Sequence, residues 1–192
     1  MIEVAPQVNT WIARFAEKAA PLGTRVEHVP DIARFASVVA DSARERSTEI
    51  VFASPQIAEA VPGLETCLAS NGILLNVIRD RDGARDQQIG LSLAANCVVE
   101  TGSVLLNERQ IQNRAPSLMT LHNIVLAPVA ALIESLNDAA GILRAIASQP
   151  GGGYASFMTG PSRTADIEMS LTVGVQGPGQ ISVIFVDNLG PE

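Results

Sequence analysis

Residues 159–168, TGPSRTADIE, bring a Gly-Pro turn, hydroxyls, an arginine and two carboxylates together directly after the apolar run 154–158, YASFM. Thr164 has the chemistry of a helix N-cap, which would put Asp166 and Glu168 in a first turn where the helix dipole favours carboxylates. Capping explains neither Gly160 nor Arg163. A glycine lets the backbone turn sharply off a strand end, and a guanidinium beside the free N–H groups of a helix start forms an anion site for phosphate or carboxylate. Gly160, Ser162, Arg163, Thr164 and Asp166 are therefore candidate ligand-binding residues. Pairing of Arg163 with Asp166 or Glu168 is the competing reading.

A second loop, residues 99–103, VETGS, has a different chemistry. Glu100 emerges from the buried-looking Cys97, Val98 and Val99, where desolvation would raise its pKa and suit it to proton transfer or nucleophilic attack. Gly102 permits close backbone approach, and Thr101 and Ser103 add hydroxyls. The alternative is a strand-to-strand turn with a solvated glutamate. His122 opens an apolar run and is a hydrogen-bonded structural residue or, in the minority reading, a ligand-binding or acid/base group. Residues 174–180, GVQGPGQ, form a turn in which Gln176 would present an amide to a neighbouring site. A GxGxxG fingerprint, a Walker lysine and a GxSxG elbow are missing from the sequence, so nicotinamide, ATPase and α/β-hydrolase readings have no motif behind them.

The elements that must position these loops alternate. Val8, Ile12, Phe15, Ala16 and Ala19 recur at helical spacing over 7–20, and Ile32, Phe35, Val38 and Val39 do so over 31–46. Apolar runs at 24–29, 49–54, 73–78, 121–128, 154–158 and 181–186 read as strands, and 89–107 as two strands around a tight element. Helices are expected from Pro55 to Ser70 with a break at Pro62-Gly63, from Val129 to about Ser148, and from Thr164 to about Thr172. Residues 79–88, RDRDGARDQQ, read as a solvated segment. This order predicts one α/β domain over 1–192 with a three-layer, mostly parallel sheet; 1–47 is its helical N-terminal part and 48–192 its sheet-containing core. The two glycine-bearing loops are expected to converge at the C-terminal edge of that sheet, where open α/β folds bind ligands.

Composition narrows the function classes. The chain has 192 residues, is 47% hydrophobic and only 4% aromatic, which suits helices packed on a sheet. A net charge of −7 excludes the electrostatic footprint of a nucleic-acid binder. Cys67 and Cys97 are thirty positions apart without a CxxC, and His28 and His122 complete no metal-ligand spacing, so no cofactor or metal is expected. The first 25 residues lack the apolar core of a signal peptide, and no run is long enough to span a membrane, so a cytoplasmic location is expected.

ETGS at 100–103, LHNI at 121–124, and the stretch 159–188 with TGPSRTADIE and GVQGPGQISVIFVDN resemble the LUD-domain family, whose namesake is a lactate utilization protein. The resemblance is distinctive over about 89–188. It implies the NagB/RpiA/CoA-transferase-like fold and a part in L-lactate oxidation to pyruvate beside partner subunits that carry iron–sulfur clusters. It casts this chain as the cofactor-poor accessory subunit, binding a small anion at 159–168 and compatible with a homo-oligomer. The family commonly shows histidine where Gln176 stands here, so any acid/base work of that histidine is missing. A free-standing enzyme of CoA-thioester or sugar-phosphate chemistry with Glu100 as base or nucleophile, and a non-catalytic sensor or scaffold, remain the alternatives.

Overall fold

Strands long and apolar enough to be covered on both faces form the spine of the molecule, seen in a computed structural model that describes residues 6–79, 87–165, 171–174 and 177–190. Helix α1 (Pro6–Ala19) runs through a 3-10 turn into β1 (Thr24–Asp31). Next come α2 (Ile32–Glu45), β2 (Ile50–Ala53), α3 (Pro55–Ala60), α4 (Leu64–Ser70) and β3 (Leu74–Val77). They are followed by β4 (Ile89–Leu93), β5 (Asn96–Val98), β6 (Ser103–Asn107), α5 (Ile111–Met119) and β7 (His122–Pro128). A second 3-10 turn precedes β8 (Leu132–Ile133), α6 (Leu136–Ala147), β9 (Ala155–Met158), β10 (Arg163–Ala165), β11 (Leu171–Val173) and β12 (Gln180–Asn188).

The main sheet has the order β1-β12-β7-β4-β2-β3, and every neighbouring pair is parallel. Alternate strand residues face opposite sides. Val51, Ala53, Ile124, Leu126, Ile184 and Val186 pack with Phe35 and Val39 of α2 and with Leu64 and Leu68 of α4. Their neighbours Val125, Ala127, Val183 and Phe185 pack with Ile12 and Phe15 of α1 and with Cys97, Val104 and Leu106. Those last three belong to a second, mixed sheet of order β8-β5-β6-β9. Helix α5 covers Phe52 on the same side. The fold is thus α/β, a parallel sheet covered on both faces, as the alternation of apolar runs and helices predicts.

Local signals explain the clearest helix. Asp31 caps α2, its Oδ1 accepting the Arg34 N–H at 2.7 Å, and the apolar stripe Phe35, Val38, Val39 meets the sheet. The helix ends at Glu45, with Arg46 as its C-cap, before Ser47 with φ 53°.

Five expectations need correction. Residues 89–107 form three strands in two sheets, because β4 pairs with β2 and β7 while β5 and β6 make a hairpin below it. Helix α5, over 111–119, was not anticipated; Pro116 lies inside it. The helix expected from Val129 starts only at Leu136. No helix starts at Thr164: residues 163–165 form β10, which pairs antiparallel with β11, Arg163 opposite Val173, and residues 166–170 lie outside those described. Finally, 1–47 is not only helical, since β1 pairs with β12 along most of its length. Most of the polar segment 79–88 also falls outside the described residues, whose helices include none long and apolar enough to cross a membrane.

Candidate functional site

The β5–β6 turn and the loop after β9 are neighbours because β6 and β9 pair antiparallel, Val104 opposite Met158. One residue beyond that pair, the hydroxyls of Ser103 and Thr159 share a hydrogen bond of 2.7 Å, and Thr101 Oγ1 donates to Ser103 Oγ at 2.8 Å. The two loops singled out by their chemistry therefore do meet, through a row of three hydroxyls.

Their meeting place is the edge where the parallel strands begin, not the C-terminal edge. The Ser162 N–H donates to the Pro178 carbonyl, the Gly174 N–H to the Ser162 carbonyl, and the Gly179 N–H to the Leu121 carbonyl, immediately before β12 and β7. Arg163 donates through Nη2 to the Leu22 carbonyl at 2.8 Å, just ahead of β1. The rule placing ligands at strand C-termini misleads here because β5 and β9, which feed these loops, belong to the second sheet.

The glycines have a packing reason. Gly102 and Gly160 hold φ of 66° and 96°, in the left-handed region. A Cβ on Gly102 would lie 2.7 Å from the Ala19 nitrogen, and one on Gly160 2.9 Å from the Leu22 oxygen. Both loops press against the end of α1 and the turn after it, so the close backbone approach they permit is to the protein itself. The premise of a helix N-terminus beside Arg163 is also gone, since Arg163 and Thr164 are strand residues; Asp166 lies outside the described residues, as does Gln176.

Glu100 is exposed rather than desolvated. Its Oε2 accepts the Leu136 N–H, the first of α6, at 3.0 Å. Asp138 joins it there, its Oδ2 accepting from both the N–H and the hydroxyl of Ser135 at 2.9 Å. Two carboxylates thus satisfy the N-terminal amides of α6 and meet its positive dipole end.

His122 lies apart from the loop pair. Its strand neighbour Asn123 reaches toward the second sheet, with Nδ2 3.6 Å from Met158 Sδ, so His122 faces the α2 side. There it is buried, with Nε2 2.9 Å from Ser182 Oγ and Nδ1 without a partner among the described residues. Burial, then the positive charges of Arg46 and Arg25, hold its pKa down to about 3, so the ring is neutral.

The sequence model of the family described as LUD domain matches residues 12–186. The chain belongs to the LUD-domain family. It is similar to lactate utilization protein C of Geobacillus kaustophilus (32% identical over 107 residues, 55% of this chain and 45% of that protein). The corresponding protein of Shouchella clausii is 33% identical over 113 residues, 57% of this chain and 48% of that one. That of Anoxybacillus flavithermus is 30% identical over 128 residues, 65% and 57%. The chain spans about half the length of these curated relatives. Among solved structures, a DUF162 family protein from Deinococcus radiodurans shares the fold, with a TM-score of 0.66 over 93% of this chain and 98% of that one at 19% identity.

One ionisable residue of this LUD domain escaped the sequence reading. Glu108 is 3% exposed, and burial pushes its carboxyl up to about 7, against the smaller opposing pulls of the Ser117 hydrogen bond and the Arg114 charge. Ser117 Oγ lies 2.9 Å from Glu108 Oε2 and 2.9 Å from the Arg114 carbonyl. A serine has one proton for those two acceptors, so a protonated Glu108 satisfies both bonds where an ionised one leaves them in competition. Arg114 stacks on Tyr154, 4.2 Å from the ring centroid, and closes this cluster. In NERQ, Glu108 reads as a loop charge; the signal available was its place directly behind the apolar strand 103–107.

Proposed function

We propose that this LUD-domain protein is the accessory subunit of a cytoplasmic system that oxidises L-lactate to pyruvate, working beside iron–sulfur-containing subunits. Kinship with proteins named lactate utilization protein C, over 107 to 128 aligned residues, is the observation that carries this reading. The cysteine content agrees with it. Two cysteines are fewer than an iron–sulfur cluster requires, and burial pushes the Cys97 thiol far above its usual range. Electron transfer therefore falls to partners, and this chain contributes binding and positioning.

In this reading the small anion sits against the loop pair. Arg163 is exposed and, among the described residues, engages the Leu22 carbonyl alone, which leaves further guanidinium donors for a carboxylate. Thr101, Ser103 and Ser162 supply polar neighbours, while Glu100 caps α6 through the Leu136 N–H. Deleting the gene should abolish growth on L-lactate as sole carbon source and leave growth on pyruvate intact; normal growth on L-lactate would overturn the proposal. At the site itself, Arg163→Ala should weaken L-lactate binding about tenfold in calorimetry while costing roughly 1 kcal/mol of stability. Unaltered binding would reduce the loop pair to a brace for α1.

A further inference from the structure

A cavity of about 280 Å³ opens where the parallel strand β2 ends, on the opposite edge from the loop pair. Its walls come from the start of α3 after β2, the end of β6, the first turn of α5 and the second residue after α6. This is the position at which open α/β sheets receive ligands.

The lining is specific in kind. Arg109 supplies one guanidinium and Glu59 one carboxylate, while Gln56, Asn107, Asn113 and Gln149 supply carboxamides. Among the described residues no aromatic ring lines the cavity to stack on a base or a nicotinamide. Asn113 Oδ1 accepts the Gln56 N–H at 3.4 Å and is thereby held in place. Among the described residues, the side chains of Arg109, Gln56, Asn107 and Gln149 make no hydrogen bond to protein, so their donors and acceptors are uncommitted. Gly151 borders the guanidinium: it holds φ 79°, and a methyl added there would collide with Arg109 Nη2. Gly151 thus leaves Arg109 the room it occupies.

We infer that this cleft binds a small polyhydroxylated monocarboxylate. A guanidinium forks onto a carboxylate through paired N–H donors. A carboxamide offers a donor and an acceptor side by side, which matches a hydroxyl, itself both donor and acceptor. At about 280 Å³ the cleft lies just below the roughly 300–1,000 Å³ usual for small-molecule sites. A six-carbon aldonate is the fitting size. The inference goes beyond the accessory-subunit proposal and rests on different residues.

Gluconate serves as the probe, titrated by calorimetry into the whole protein, with sorbitol, L-lactate and inorganic phosphate as comparisons. Gluconate should bind, sorbitol and phosphate should bind at least tenfold more weakly, and Arg109→Ala should weaken gluconate about tenfold or more. Asn107→Ala and Gln149→Ala should each weaken it severalfold, and Gly151→Ala should act like a milder Arg109→Ala. Arg163→Ala should leave gluconate binding unchanged, which separates this cleft from the loop pair. Arg109 is exposed and unpaired among the described residues, so its replacement leaves the melting temperature in place. The inference is overturned if gluconate does not bind at millimolar concentration, if Arg109→Ala binds it as well as the parent does, or if phosphate binds equally.

Discussion

Phe185→Ala is expected to lose about 3–5 kcal/mol of unfolding free energy, the largest loss anticipated for one core substitution here. Phe185 is fully buried in β12, and its ring meets Phe15 of α1 edge-on at 88° with centroids 5.2 Å apart. The pair joins α1, the parallel sheet and the second sheet in one apolar cluster. Truncation removes the aromatic contact and leaves a cavity that close-packed β neighbours cannot fill. Domains of this size are stable by only about 5–15 kcal/mol, so the urea midpoint should fall steeply. Phe185→Leu, which keeps most of the volume, should cost far less. A loss below about 1 kcal/mol for Phe185→Ala would mean that α1 is not anchored through this contact.

The second large effect is in the pH dependence of stability. Glu108 prefers its proton in the folded state, with a pKa of about 7 against an ordinary 4.5. Between those values the folded protein binds more protons than the unfolded chain, so Glu108 makes stability fall as pH rises through about 4.5 to 7, by an amount on the order of 3 kcal/mol. His122 works in the opposite direction. Its pKa is lowered from 6.5 to about 3, so it resists protonation when folded and makes stability fall as pH drops from about 6.5 toward 3. The two slopes oppose each other between about pH 4.5 and 6.5, and the parent protein should show a shallow profile there. Glu108→Gln removes one slope. Its amide keeps a partner for Ser117, so the variant should gain stability at pH 8 and lose it steadily below about pH 6.5. His122→Gln should show the converse, with stability declining from about pH 4.5 to 7. Urea unfolding at a series of pH values reads both, and a Glu108→Gln profile identical to the parent's would refute the burial argument.

Much of the fold was legible because its strongest signals are local and repeated. The strands 122–128 and 180–188 carry the continuous apolar runs 124–127 and 183–186, as strands covered on both faces do, and α2 carries both its stripe and its Asp31 cap. The Ser135–Asp138 capping signature that starts α6 was also in the sequence, six residues beyond the start expected from apolar content alone. Helix α5 was hidden because Pro116 breaks the usual pattern of a helix interior. Thr164, which has the chemistry of a helix N-cap, lies instead in the strand 163–165, because pairing with residues 171–173 overrides local propensity. For the site, the sequence located two loops that touch, yet it misplaced them on the sheet and gave the buried carboxyl to the wrong glutamate. Both failures concern tertiary facts: which sheet a strand joins, and which side chain ends up without water.

The position of β12 has a temporal consequence. Among the described residues it follows all other strands yet lies between β1 and β7, and β1 has no other neighbour in its sheet. While a ribosome is still elongating through residues 180–188, the early segment 24–31 has no strand to pair with and β7 keeps an unpaired edge. Completion of the parallel sheet is therefore a single late insertion that joins both halves of the polypeptide at once.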